Sequence, residues 1–183
     1  MVVSARRSRW ILALLFEGEG RQRYNKPVEG RTRLMKELFL LKMTFGLKEI
    51  EYEFVPYWYG PFSPGVYTDL ESLAEDGFVE TRNGPAGDIF SLTPRGIDTA
   101  QDARATIGKM AIERIKTCKE RFNSMPLNQL VAYVYERWPK YTVRAHKSPS
   151  SVLAALRKEA KAAGITEEDV TRAIAEYRGQ AST

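Results

Sequence analysis

The sequence has few of the residues that build disulfides, metal sites and membrane anchors. Among its 183 residues there is one cysteine, Cys118, and one histidine, His146. A single cysteine excludes an intramolecular disulfide and a multi-cysteine metal site, and sparse use of cysteine is typical of a reducing compartment. The apolar run from Trp10 to Phe16 is far shorter than the roughly 20 residues that span a membrane, and no signal-peptide cleavage site is evident after it. We therefore expect a cytoplasmic protein.

Motifs that carry catalysis are also missing. His146 has no second histidine or cysteine at metal-ligand spacing, and the chain has no nucleophile elbow. The stretch from Gly84 to Gly87 lacks the lysine and the serine or threonine of a phosphate-binding loop. The alternating glutamates from Glu49 to Glu53 resemble the solvated face of a strand. The sequence therefore predicts a protein that is not an enzyme and that uses neither a metal nor a cofactor.

The charge of the chain is unevenly distributed. Its hydrophobic content of 43% and charged content of 28% are ordinary for a globular protein, so we expect it to fold without help. The formal net charge is +5, but residues 1–47 carry ten basic and four acidic residues, residues 48–103 three and eleven, and residues 104–183 fifteen and eight. An acidic middle segment thus lies between two basic ones, and this distribution is more informative about partners than the net charge.

Local signals divide residues 1–103 into three helices and a β-hairpin. Caps, prolines, glycines and apolar spacing predict helices over Ser8–Phe16, over Arg31–Met43, and from a Ser63 cap with Pro64 at the first helical position to a stop at Gly77. Alternation predicts a strand or an extended segment over Tyr52–Tyr57 that leads to a turn at Gly60-Pro61, and strands over Phe78–Arg82 and Asp88–Leu92. The second helix carries two apolar stripes, which leave Arg33 and Lys36 on a narrow polar side. This order of elements predicts a winged helix-turn-helix domain whose last two strands form the wing.

Residues 104–183 are predicted to form a helical extension of that domain. One long helix is expected from a Thr93 cap to Phe122, and shorter helices are expected over Leu127–Arg137, between Ser148 and Gly164, and from Thr166 onward. The predicted fold class is therefore mainly α, of the α+β type, with a winged-helix domain over residues 1–103 and the extension over residues 104–183.

Two motifs resemble those of a known family. The segment Gly30–Leu41, GRTRLMKELFLL, is followed by Tyr59–Tyr67, YGPFSPGVY. Over about residues 8–100 the chain resembles the Panacea antitoxin-like family, in which a similar helix precedes a Tyr-Gly-Pro turn. The resemblance implies a winged-helix core and a function in neutralising or modulating a protein partner.

The residues around the turn are the candidate contacts for such a partner. Aromatic side chains crowd the turn and acidic ones follow it in the third helix, namely Tyr57, Trp58, Tyr59, Phe62, Asp69, Glu71 and Glu75. Exposed aromatic residues are enriched in protein interfaces, although the same residues also serve to close small cores. Between Ser63 and Asp76 the chain has no lysine or arginine, so this helix would repel the phosphates of a duplex. We therefore expect a basic protein partner.

A DNA-binding regulator is the alternative that the sequence leaves open. It would form a dimer through the Thr93–Phe122 helix and hold duplex DNA by phosphate contacts from flanking cations. The candidate residues are Arg6, Arg7, Arg9, Arg31, Arg33, Lys36, Arg82 and Arg95. These cations could equally solvate the surfaces of helices.

Overall fold

The computed structural model of the protein describes residues 2–19, 22–84 and 87–145 and shows a mixed α/β fold. The helices are α1 (Val2–Phe16), α2 (Arg31–Met43), α3 (Pro64–Glu75), α4 (Pro94–Ile107), α5 (Lys109–Phe122) and α6 (Leu127–Arg137), followed by a 3₁₀ helix, Pro139–Tyr141. The strands are β1 (Glu17–Glu19), β2 (Gln22–Tyr24), β3 (Val28–Glu29), β4 (Val55–Tyr57), β5 (Gly60–Phe62), β6 (Val79–Gly84) and β7 (Gly87–Leu92). The predicted α+β class is confirmed. The helices predicted after residue 145 lie outside the described residues, as does His146.

Helix α2 is the centre of the hydrophobic core. Every residue from Arg33 to Leu41 is buried, because α2 packs against α1, α5, α6 and the strands β3 and β5. The polar side predicted for Arg33 and Lys36 is therefore also covered, with 7% of Arg33 and 1% of Lys36 exposed. Backbone carbonyls of later segments accept hydrogen bonds from both side chains, which offsets the cost of burying the charges.

Within the described residues, three small antiparallel sheets complete the fold. Strands β3, β7 and β6 form one sheet in that order, with Val28 opposite Phe90 and Val79 opposite Leu92. Strands β1 and β2 pair in a second sheet and strands β4 and β5 in a third. Strand β4 is shorter than the predicted Tyr52–Tyr57, since the side chain of Tyr52 is buried against Asp69 and residues 52–54 form no ladder.

The boundaries of α3 and α4 follow from their flanking residues. Pro64 occupies the first turn of α3, and Gly77 stops the helix with a φ of 72° that suits glycine. The side chain of Ser63 forms no capping hydrogen bond, so the predicted cap is wrong in that respect. Thr93 does cap α4, because its hydroxyl oxygen accepts a hydrogen bond of 3.0 Å from the amide of Gly96.

The long helix predicted from Thr93 to Phe122 is broken in two. Gly108 separates α4 from α5 with a φ of 90°, a conformation that ends an α-helix and that side chains other than glycine disfavour. Helix α4 packs on α1, whereas α5 packs on β1 and α2. Ile115 and Phe122 of α5 belong to the same hydrophobic cluster as α1 and α2. Among the described residues, no helix has both the length and the apolar character to cross a bilayer.

Candidate functional site: an aromatic hairpin beside an acidic helix

The hairpin formed by β4 and β5 holds the turn singled out in the sequence. Tyr57 lies opposite Gly60, and Trp58 and Tyr59 form the turn between them. Gly60 has a φ of 86°, and a Cβ atom at this position would lie 2.9 Å from the ring of Tyr135 in α6. Only glycine therefore fits this position without strain. The hairpin thus lies tightly against α6.

Lys36 of α2 also anchors the hairpin. Its Nζ donates a hydrogen bond of 3.0 Å to the carbonyl oxygen of Pro61. Burial lowers the pKa of the Lys36 amine to about 7. Within the described part of the chain no carboxylate forms a salt bridge with this amine. Lys36 also lines a cavity of about 210 Å³ between α2 and the hairpin, together with Thr32 and Met35.

Four rings form a continuous row along this surface, which we call the aromatic ladder: Trp58, Tyr57, Phe62 and Tyr67. Trp58 stacks on Tyr57 with ring centroids 5.0 Å apart, and Tyr57 stacks on Phe62 at 4.7 Å. The edge contact between Phe62 and Tyr67 has a centroid distance of 5.1 Å. Trp58 is 49% exposed, and the neighbouring Tyr59 is 54% exposed. The ladder therefore fixes the orientation of the Trp58 ring, which still presents a large apolar area to solvent.

Arg31 connects the aromatic ladder to the acidic side of α3. Its guanidinium lies 5.5 Å from the centre of the Tyr67 ring, and its Nη1 is 3.5 Å from the Glu71 carboxylate. Its Nε also donates to Asp88 in β7. Glu71 and Glu75 are exposed on the same helix as Tyr67. The aromatic and acidic candidates thus belong to one continuous surface, except for Asp69.

Asp69 lies in the interior and not on that surface. It is 1% exposed, and Nε and Nη2 of Arg7 each donate to one of its oxygens at 2.8 Å. The hydroxyl of Tyr52 donates a further bond of 2.8 Å. The pKa of Arg7 is raised by its hydrogen bond to Asp69, and the pKa of Tyr52 is raised by burial and by the same carboxylate. Asp69 therefore joins α1 to α3 and is not accessible to a partner.

Most of the cations proposed for phosphate contact already have partners in the protein. Arg7 binds Asp69, Arg31 binds Asp88 and Glu71, Arg33 binds the carbonyls of Phe122 and Met125, Lys36 binds the carbonyl of Pro61, Arg82 binds Ser91 and Glu80, and Arg95 binds the carbonyl of Asp76. Arg9 is partly exposed over the ring of Trp10, and Arg6 is exposed. Since Arg33 and Lys36 are buried, the eight residues do not all lie on an exposed face.

Tyr67 is the member of the site that the sequence reasoning missed. A local signal for it exists, since Phe62 precedes the Ser63 position and Tyr67 is the fourth residue of α3. Apolar residues at these two positions commonly pack as a hydrophobic staple. The contribution of Arg31 had no comparable signal, because its partners Glu71 and Asp88 are distant in sequence.

The site offers an exposed aromatic and acidic surface. In the described residues no group of three histidine, cysteine or acidic side chains could hold a metal ion. Neither a family model nor a curated protein matches this chain. The resemblance to the Panacea antitoxin-like family stays a prediction.

Proposed function

We propose that this protein is a non-catalytic, antitoxin-like or regulatory adaptor that binds a basic protein partner through the aromatic ladder and the exposed acidic face of α3. The observation that carries the proposal is the continuity of the surface, from Trp58 through Tyr67 and Arg31 to Glu71. Exposed aromatic anchors that are already held in place lose little entropy on binding. The neighbouring carboxylates add selectivity for a partner of positive charge.

The proposal includes a winged-helix core of the antitoxin-like type. The chain order α1, β3, α2, α3, β6, β7 and the sheet order β3, β7, β6 support it. In this core α3 occupies the position of the recognition helix and the β6–β7 hairpin that of the wing. Glu71 and Glu75 replace the cations that a groove-binding helix would carry. The winged-helix domain would therefore bind the surface of a protein and not DNA.

The test begins with isolation of a partner from cells of the source organism, followed by affinity measurements with both proteins purified. The double variant Trp58→Ala/Tyr59→Ala should weaken binding at least about 30-fold, as expected for interface anchors. Tyr24→Ala is the matched control, because Tyr24 is 57% exposed on a different part of the surface. Equal affinity of the double variant and the wild-type protein would refute the proposal.

Charge reversal tests the acidic face separately. Glu71→Lys/Glu75→Lys should weaken binding and reduce its dependence on salt, since two favourable charges become repulsive. Glu120→Lys is the control, because Glu120 is exposed on α5. Asp69 is unsuitable for this purpose since its substitution would disturb the interior.

The alternative, a dimeric DNA-binding regulator, makes a different prediction. Its affinity for a random duplex would fall steeply with salt, and Arg6→Ala/Arg9→Ala would flatten that slope. The internal partners of Arg7, Arg33 and Lys36 favour protein binding over this function. If the protein binds DNA in a saturable and salt-sensitive way and no protein partner is found, the DNA-binding regulator becomes the favoured function.

A further inference from the structure

The cavity of about 210 Å³ between α2 and the hairpin, which we call the ladder cavity, is lined mainly by aromatic rings. All four rings of the aromatic ladder line it, together with Tyr59 and Met35. Tyr57 is 38% exposed, Trp58 49% and Tyr59 54%, so the cavity opens to solvent. The ring contacts along the ladder hold these walls in place. A partner can therefore reach a cavity whose aromatic wall is already formed.

The chemistry of the lining favours an apolar side chain over a charged one. None of the described residues that line the ladder cavity is acidic, and Lys36 is the one basic residue among them. A cation in the cavity would therefore have no carboxylate to pair with, and burying an unpaired charge is costly. Lys36 is only 1% exposed, so it offers almost no surface to an anion. Aromatic rings and a methionine, in contrast, make favourable contacts with an apolar group.

The size of the ladder cavity suits one large apolar side chain. Apolar cavities of about 150 Å³ in other proteins take up a benzene ring. A cavity of about 210 Å³ therefore has room for the side chain of a phenylalanine or a leucine. Side chains of this kind, buried in a preformed pocket, commonly contribute most of the affinity of an interface.

The surface beside the ladder cavity carries negative charge. From residue 49 to residue 76 the chain has seven acidic residues and no lysine or arginine. Glu71 and Glu75 follow Tyr67 by four and eight residues on one side of α3, about 6 Å and about 12 Å further along the helix. Both are exposed, and the Glu71 side chain stays 61% exposed beside Arg31. Because an extended segment advances about 3.3 Å per residue, cations two to four positions from an anchor in the cavity would reach these carboxylates.

We propose that the ladder cavity receives one bulky apolar side chain, a phenylalanine or a leucine, from a segment of the partner that carries arginine or lysine two to four positions away. The apolar side chain would be the anchor, and the cations would pair with Glu71 and Glu75. This inference rests on the proposed function and makes it more specific, because only this segment of the partner needs to be basic.

Titration of the full-length, ¹⁵N-labelled protein with synthetic peptides tests the inference. The probe has a central phenylalanine, arginines two and four positions away on either side, and serines between them. The chain has three tryptophans, and the indole N–H signal lost in Trp58→Phe identifies Trp58. We expect this signal to shift with saturation as the probe is added.

Two changes to the probe separate the anchor from the charges. Replacing its phenylalanine with serine should weaken binding at least about 10-fold, because the burial of the ring is lost. Replacing its four arginines with glutamates should also weaken binding at least about 10-fold, because like charges then meet at the acidic face.

A matched pair of variants locates the anchor in the cavity. Thr32 lines the ladder cavity, whereas Thr117 is exposed on α5 outside it. Thr32→Phe should fill the cavity and remove most of the preference for the phenylalanine peptide over the serine peptide. Thr117→Phe should leave that preference unchanged. Thr32→Leu is a smaller change with the same purpose, in case Thr32→Phe does not fold.

Several results would overturn the inference. These are equal affinities for the phenylalanine and serine peptides, a preference that filling the cavity leaves unchanged, and a Trp58 signal that no peptide shifts. Tighter binding of a peptide with a central arginine would show that the cavity takes a cation instead. The proposed function would survive each of these results if Trp58→Ala/Tyr59→Ala still weakens binding of the purified partner, and it fails separately if that double variant binds the partner like the wild type.

Discussion

We expect Lys36 to make the free energy of unfolding of this protein depend on pH in the alkaline range. Burial lowers the pKa of its amine from 10.5 to about 7. Between these values the unfolded chain binds a proton that the folded protein does not, so the free energy of unfolding must rise as pH rises from 7 toward 10.5. Below pH 7 the Lys36 amine is protonated in both the folded and the unfolded protein, so its contribution to the free energy of unfolding no longer changes with pH. One pKa unit corresponds to about 1.4 kcal/mol, so the whole shift corresponds to about 5 kcal/mol.

The variant Lys36→Met isolates this effect. Methionine is unbranched and apolar, so it fills the same space without a charge, although it leaves the carbonyl of Pro61 without its donor. The lost hydrogen bond costs about 1–3 kcal/mol at every pH. The charge effect, in contrast, should make the wild-type protein gain about 3 kcal/mol over Lys36→Met between pH 7 and 9.5.

The free energy of unfolding of both proteins is measured at each pH by urea denaturation, with circular dichroism as the signal. Comparing the two proteins removes the contributions of other groups, such as Cys118 and Tyr52, whose pKa values are raised chiefly by burial and which therefore lower stability at high pH. Lys48→Met, at an exposed position, controls for removal of one lysine. A difference between wild type and Lys36→Met that stays constant within about 0.5 kcal/mol from pH 7 to 9.5 would refute the reasoning.

Three further substitutions test other parts of the structure. Asp69→Ala removes the buried carboxylate that binds Arg7 and Tyr52, and should lower the free energy of unfolding by about 3–5 kcal/mol in urea denaturation, whereas Tyr52→Phe should cost only about 1–3 kcal/mol. Gly60→Ala forces a Cβ atom against Tyr135 at a positive φ, so we expect a loss of about 1–3 kcal/mol and weaker partner binding. In Gly108→Ala the new Cβ atom has no neighbour within 4 Å, but alanine disfavours the positive φ of this position. Thermal unfolding should therefore show that the free energy of unfolding falls by about 1–2 kcal/mol. An unchanged free energy would mean that α4 and α5 can join into one helix.

The sequence alone determined the elements whose signals are local. The bounds of α2 and α6, the start and stop of α3, the Thr93 cap and the β6–β7 hairpin depend on residues within a few positions of each other. Caps, prolines and glycines act through the backbone of their own turn, and apolar spacing fixes the face that is buried. The turn near the aromatic residues was predicted at Gly60-Pro61 but lies at Trp58 and Tyr59, because Gly60 and Pro61 pair with β4 as part of strand β5.

Only the tertiary structure decided which charges are buried. The acceptor of Arg33 at Phe122 is 89 residues away, and Lys36 finds the carbonyl of Pro61 25 residues away. In the sequence, Asp69 has the same pattern as Glu71 and Glu75, which are exposed. Asp69 is buried because Arg7, 62 residues away in sequence, donates hydrogen bonds to its carboxylate. A charged side chain can be buried where groups distant in sequence satisfy its hydrogen bonds. Because the positions of those groups depend on the tertiary structure, the local sequence does not predict this burial.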